Sequence, residues 1–421
     1  MTANRGEEGW SRRGLLAAAP ACLAAACAPR ADPSALRFWA MSYQGDYAPL
    51  LMPPFTRATG IPVDVQSVPW TAAHEKLLTA HVGGALPDVF MLPNGWVGEF
   101  AMIGALAPVP SPALLEGLMP GLLEAGDGAG RRYAVPWSVA PRVQFFRRDL
   151  LAAAGWDAPA GDWDGWRRMG MALKRRRPDD FVFMMLLNWP DDLMTMLTQL
   201  GAPKLRDRST RGNFRTPEGR EALGYYKSLF DEGLAPKALS TEVQDQFAAF
   251  AAGQFAIWNS GPTTLLDFRR RRAELVPERW GTTRIAGPHG PGPISVRDVS
   301  LCVSAGSRRP ADAWRLLAHV TSAASELRFA HLIGSLPARA AAWPHLTFPP
   351  DILAPFAEQA RVIVSEPSIV EAEQVRDQVA LFSERAVRGL MTIDEALAGL
   401  DTRVDATLAK RRSLVEAGRL A

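Results

Sequence analysis

Short runs in which apolar residues alternate with polar ones, or stand together, occur at three places early in the chain, Leu36–Met41, Ile61–Val68 and Asp88–Leu92, and predict strands. Between the first two, apolar residues recur at helical spacing over Ala48–Ala58 until Gly60 and Pro62 stop the pattern. Between the second and third, the same spacing runs over Ala72–Val82 and ends at Gly83 and Gly84. Strand, helix, strand, helix, strand requires parallel strands with crossover helices, so the first third is a doubly wound α/β lobe. Such sheets bind ligands in the loops beyond the carboxyl ends of their strands.

The pattern changes over 141–290. Helical spacing dominates, at Asp149–Ala154, Trp163–Lys174, Leu193–Leu200 and Pro217–Phe230, with strands at Val143–Phe146 and Gln254–Asn259. This predicts a second lobe. Gly287-Pro288-His289-Gly290-Pro291-Gly292-Pro293 is a surface loop by composition, and the apolar run Val299–Val303 that follows it crosses back. Ala311–Val320, Ala323–Leu332, Arg376–Arg388 and Ile393–Leu400 read as further helices. The expected division is 35–140 with 301–336 for the first lobe and 141–300 with 337–415 for the second.

Residues 1–26 are of another kind. Arg12 and Arg13 precede Gly14, Leu15, Leu16 and an alanine-rich run to Ala26, the order of a secretory signal, and the arginine pair resembles the twin-arginine type that exports folded proteins. The apolar stretch is well short of the ~20 residues a membrane-spanning helix needs. Leu23-Ala24-Ala25-Ala26-Cys27 resembles a lipoprotein box with its leucine one place early, and Ala24-x-Ala26 also suits an ordinary signal peptidase. The expectation is export to the periplasm or the outer face of the membrane, with Cys27 as the candidate lipidation site.

Composition narrows the function. The 47 basic and 44 acidic residues are spread along the 421-residue chain, which lacks the basic stripe that nucleic-acid binding needs. Of three cysteines, Cys22 and Cys27 lie in the signal region and Cys302 in the body, so no disulfide is expected within the fold. Enzyme motifs are missing: there is no G-x-S-x-G elbow, no P-loop and no Ser-x-x-Lys. His74 and His81 are seven apart rather than four, so they cannot form the zinc pair of a metalloprotease, and the six histidines show no metal-like spacing. Tyr225-Tyr226 could suggest iron capture by paired tyrosines, but neighbours on a helix point about 100° apart. No catalytic residue, metal or cofactor is expected.

Several local patterns, in order along nearly the whole body, resemble family-one extracellular solute-binding proteins of ATP-driven sugar importers. Phe55-x-x-Ala58-Thr59-Gly60-Ile61-Pro62-Val63 matches that family's helix-to-strand turn, and Gly84-Ala85-Leu86-Pro87-Asp88-Val89 its "G-x-x-P-D-V" entry to the third strand. Gly104-Ala105-Leu106-Ala107-Pro108, Tyr133-Ala134-Val135-Pro136 and Phe145-Phe146-Arg147-Arg148-Asp149-Leu150 follow, the last without the usual Asn. Further matches are Phe250-x-x-Gly253 through Gly261-Pro262, Ala313-Trp314, Gly334-Ser335-Leu336-Pro337-Ala338-Arg339 and Thr392–Leu397. Ser295-Val296-Arg297-Asp298 stands where a glycine pair is usual.

The resemblance implies an α/β, two-lobed periplasmic-binding-protein fold of the type II kind, with a ligand cleft between the lobes. It also implies a monomer that hands a small solute, a mono- or oligosaccharide, to the transmembrane subunits of an ABC permease. A sugar phosphate, a polyol or a sensing role for a receptor subunit is the alternative. Sugar recognition needs flat apolar partners for ring faces and fixed hydrogen-bonding groups for hydroxyls. Trp70, Trp137 and Trp189, beside turns or strand ends, are the expected platforms. Ser42, Tyr43 and Gln44 match the family's first-strand loop, Asn94 and Gly95 the third-strand loop, and Asn188 with Trp189 the facing loop. Asn259, Ser260 and Gly261 precede a helix start whose backbone N–H groups can donate. Arg142, Arg297, Asp298 and Arg376 are the ionic candidates; two converging arginines would suit an anionic ligand. Asp88 is expected to bond its own turn.

Overall fold

Leu36, Phe38 and Ala40 alternate with Arg37 and Trp39, and this period of two makes Leu36–Met41 (β1) a strand with one fully buried face. In the computed structural model, which describes residues 32–119, 122, 127–128, 131–296, 298–366 and 369–418, its parallel neighbours are Val63–Val68 (β2) and Val89–Pro93 (β3). The second strand starts two residues later than its apolar run, because Gly60 ends the preceding helix at φ 71° and Pro62 has no N–H to give. The signal segment, Cys27 and Arg297 lie outside the described residues.

Apart from two small hairpins of two-residue strands, the later strands, in chain order, are Ala134–Val139 (β4), Val143–Arg147 (β5), Phe181–Phe183 (β6), Phe255–Ser260 (β7), Trp280–Thr283 (β8), Ile294–Val296 (β9), Val299–Val303 (β10), Leu336–Pro337 (β11) and Ile363–Ser365 (β12). One sheet has the order β11-β4-β10-β3-β1-β2, another β8-β5-β7-β6, and β9 pairs with β12 alone. The first sheet is mixed, since β10 runs antiparallel to both β3 and β4. Two sheets with separate cores make the two lobes.

Four helices position the site. Ser42–Tyr47 (α1) follows β1 at once, where the apolar pattern predicts no helix. Trp70–Val82 (α2) starts two residues before the expected Ala72, just after Pro69; Asn94–Met102 (α3) follows β3, and Asp191–Gln199 (α4) opens on two acids. The expected helix over Ala48–Ala58 is split into a tight turn, Ala48–Leu51, and a helix, Met52–Thr59.

The first core gathers Phe38, Phe90, Phe100, Leu301, Leu316 and Phe329 around the six-stranded sheet. The four-stranded sheet is covered on both faces: the adjacent Phe145 and Phe146 of β5 enter different clusters, one with Phe250, Phe268 and Trp280, the other with Trp166, Phe183 and Tyr226. The helices Ala372–Val387 and Ile393–Thr407 pack on the latter cluster. Tyr225 stacks on Trp163 at 4.5 Å and donates to its carbonyl, and Tyr226 is buried, so packing absorbs the tyrosine pair. Cys302 is free and buried in β10, and burial pushes its thiol pKa up. Asp88 bonds beyond its own turn: it accepts from the Arg37 N–H at 2.9 Å and from Ser307 Oγ at 2.6 Å, tying β1 to the segment after β10.

Candidate functional site

The pairing registers bring six strand ends of the first sheet to one edge. β1, β2 and β3 finish there at Met41, Val68 and Pro93. β10 starts there, Val299 lying opposite Pro93 and Ser138; β4 ends there, and β11 begins with Leu336 opposite Val139. In the second sheet, β7 ends at Ser260 opposite Val143, the first residue of β5, and β8 ends at Thr283 opposite Gln144. Ala140, Pro141 and Arg142 are all that separates β4 from β5. Four backbone steps span at most about 14 Å, so the two edges lie close to one another. Ser42, Tyr43, Gln44, Trp70, Asn94, Gly95 and Asp298 sit at the first edge; Arg142, Asn259, Ser260 and Gly261 sit at the second.

At the first edge, α1, α2 and α3 each begin directly after a strand, aiming their opening N–H groups at this end of the sheet. Ser42 adopts φ 42°, a left-handed conformation rare outside glycine, and its carbonyl accepts from Ser67 Oγ at 3.0 Å. Gly45 lets α1 lie on the sheet: a Cβ there would stand 2.5 Å from the Ala40 carbonyl oxygen and 2.7 Å from Ser67 Cα. Tyr43, Tyr47 and Trp70 are 39%, 38% and 38% exposed, an aromatic group on one edge. Burial raises the pKa of the Tyr43 hydroxyl, opposed by Ser335, ahead of β11. Ser300 Oγ donates to Asn94 Oδ1 at 2.7 Å, and the Asn94 N–H donates to the Asp298 carbonyl at 3.0 Å.

The crossing is braced on both sides. The Ala140 N–H donates to Asp298 Oδ1 at 3.2 Å, and burial pushes that carboxyl up to about 7 against this donor. On the second lobe, Arg142 Nη2 donates to the Asn259 carbonyl at 2.8 Å and to Asp192 Oδ1 at 3.3 Å, while Asn259 Nδ2 donates to the same Asp192 oxygen at 3.0 Å. Burial raises the Asp192 pKa, opposed by the Arg142 charge and the Asn259 amide. Asp192 was not among the expected residues. Two acids opening a helix are visible in the sequence, but they read as ordinary helix-start residues.

Some expected residues are used otherwise. Trp137 is 1% exposed, stacked on Phe329 at 4.5 Å and tilted against Phe38, so its ring belongs to the first core and not to an open face. Every residue of β4 is buried, and Pro136 lies within the strand. Arg376 is buried with Nη1 on Glu366 at 2.8 Å and Nη2 on Asp191 at 2.6 Å; it pins the helix Ala372–Val387 to α4. Arg142 and Arg376 are thus each answered by a carboxylate, and this pair leaves no converging cationic site for an anion. Gln44 is buried, Asn188 exchanges hydrogen bonds with Ser240 at 2.9 and 2.8 Å, and Ser260 Oγ meets Thr264 Oγ1 at 2.7 Å. Trp189 is half-buried beside Asn188, and Gly261 has open space around it.

A family model described as bacterial extracellular solute-binding protein matches residues 42–326, from α1 into the second helix after β10, Ala323–Ile333. The chain belongs to this family. Among solved structures, the chain resembles the sugar-binding protein MalE from the phytopathogen Xanthomonas citri, with 34% identity and a TM-score of 0.86 over 91% of this chain and 99% of that one. It is 32% identical over 305 residues to an uncharacterized lipoprotein from the oleD 5′ region of Streptomyces antibioticus, covering 67% of this chain and 66% of that one. A mannitol-binding protein of Pseudomonas aeruginosa shares 26% identity over 168 residues, 38% of each chain.

Proposed function

We propose that this solute-binding protein captures a neutral sugar, a mono- or oligosaccharide, between its lobes and delivers it to the transmembrane subunits of an ABC importer, without turnover. One observation carries the reading: the edges of the two sheets meet across Ala140–Arg142 with amides, hydroxyls, exposed aromatic rings and a guanidinium already answered by Asp192. That set suits hydroxyls and ring faces and gives an anion no uncompensated pair of cations. The likeness to a sugar-binding MalE along nearly the whole chain supports it. In the proposed division, 35–140 with 301–336 closes on 141–300 with 337–415 about the crossings, and the closed form is what the permease reads. Tyr43, Trp70, Asn94, Gly95, Arg142, Trp189, Asn259, Ser260 and Gly261 are the proposed contacts. The proposed protein is a monomer, exported by a twin-arginine signal and tethered to the outer face of the membrane through Cys27.

A polyol is the second reading, favoured by the likeness to the mannitol-binding protein. A thermal-shift screen with maltose, maltotetraose, trehalose, mannitol and glucose 6-phosphate separates the readings, because a ligand that binds only the folded form raises the melting temperature by mass action. A shift with one of the sugars is the expected result. A shift with mannitol alone selects the polyol reading, and a shift with the phosphate alone overturns both.

A further inference from the structure

Asp192 lies in the first turn of α4, buried, and its Oδ1 receives two donors from two other elements: Nδ2 of Asn259 near the end of β7 and Nη2 of Arg142 on the crossing. Arg142 closes the ring through the Asn259 carbonyl at 2.8 Å. An ionised carboxylate can only accept, so the Asn259 amide must turn its nitrogen toward Asp192 and its oxygen away. Asn259 Oδ1 and Arg142 Nη1 are both buried and have no partner among the described residues. One is an acceptor and the other a donor, held by one carboxylate beside the end of the second sheet.

We propose that Asp192 is the positioning residue that makes this site select neutral hydroxylated solutes over anionic ones. The inference rests on the sugar reading above. By fixing the amide, Asp192 presents an acceptor to a hydroxyl that donates; by holding one arm of the guanidinium, it leaves Nη1 for a hydroxyl that accepts. Vicinal hydroxyls offer both, since each can donate and accept. Asp192 also cancels the Arg142 charge, and the Asn259 amide that meets Asp192 adds a second acceptor, Oδ1, to the cluster. A carboxylate or phosphate therefore meets an oxygen where it needs a donor and a cation already compensated.

The test compares maltose with maltobionate, the same disaccharide carrying a carboxylate, on the unaltered chain and on Asp192→Asn and Asp192→Ser. The expected result is preference for maltose in the unaltered chain. Each folded variant should lose about tenfold to 100-fold in maltose affinity, the scale for a misplaced charge-assisted hydrogen bond, and should gain in relative affinity for maltobionate as Arg142 is released. Unchanged affinity and unchanged preference in a variant that melts normally overturn the proposal. A second measurement does not depend on ligand. The chain has five asparagines, Asn4, Asn94, Asn188, Asn213 and Asn259, so selective nitrogen-15 labelling of asparagine gives few side-chain amide signals. The Asn259 pair, identified by its loss in Asn259→Ser, should shift and exchange faster with water in Asp192→Ser without ligand. Should the unaltered chain bind neither compound, maltose as the sugar is rejected, and this amide signal alone decides the positioning role: an unmoved pair overturns it.

Discussion

The backbone amide of Ala140 and the carboxyl of Asp298 meet at 3.2 Å, joining the segment that leaves the first sheet after β4 to the segment that re-enters it at β10. Two passages of the chain between the lobes are thereby tied by one hydrogen bond to a fully buried acid. A bend at one passage must be accommodated at the other.

This tie makes stability depend on pH in a definite direction. In the unfolded chain the Asp298 carboxyl titrates near 3.8, and in the fold burial moves it to about 7. Between those values the folded state holds the extra proton, so stability falls as pH rises through the window, by up to about 4 kcal/mol from this group. Asp298→Asn keeps an oxygen for the Ala140 N–H and removes the titration. Urea unfolding from about pH 4 to about pH 8 should give a shallower decline for the variant than for the unaltered protein. The remaining slope comes in part from Glu326, which burial pushes up to about 8. Equal slopes would exclude Asp298 as a source.

Trp70 and Trp137 should separate binding from folding. Trp70 opens α2 with its ring 38% exposed, and Trp70→Ala should weaken sugar binding roughly five- to 150-fold at an unchanged melting temperature. Trp137→Ala empties a stacked position in the first core and should cost about 3–5 kcal/mol of stability. Calorimetric titration and chemical denaturation on both variants check the pair; a Trp70 variant with full affinity removes that ring from the site.

Two glycines of the same edge should respond in opposite ways. Gly45→Ala drives a methyl group into the Ala40 carbonyl and the backbone of Ser67, and should cost about 1–3 kcal/mol. Gly95→Ala meets no protein atom within 4 Å, so stability should change by no more than about 0.5 kcal/mol. Any loss of affinity in Gly95→Ala then measures how closely the solute approaches the start of α3.

Export is tested on the address itself. Replacing Arg12 and Arg13 together by lysine should leave precursor in the cytoplasm, and normal export of that double variant rejects the twin-arginine route. Cys27→Ala should move the protein from the membrane fraction to the soluble periplasm. An unaltered protein already wholly soluble there points to the ordinary cut after Ala26.

The sequence disclosed the parallel strands β1 to β3, because alternation and glycine stops are local properties, and it disclosed the family through motifs in order. It placed Trp70 and Asn94 just after strand ends for the same reason. What it hid was partnership at a distance. Trp137 lies in a strand buried on both faces, where no alternation shows which way a ring points. Arg376 reads as an ionic candidate for the ligand until Asp191, 185 residues away in the chain, is seen against it. Asp192 is one of two acids opening a helix, and only folding brings Arg142 and Asn259 onto its carboxylate.

Cys302, fully buried in β10 with its thiol pKa raised, has a practical consequence for watching the protein at work. Thiol dyes react with the thiolate, which this residue does not present. In protein cut before Ala28, a pair of cysteines introduced at Val82 and Leu390, which are 88% and 71% exposed on different lobes, would therefore take the label alone. Fluorescence energy transfer between them would read lobe closure directly, sugar by sugar, on the native background sequence.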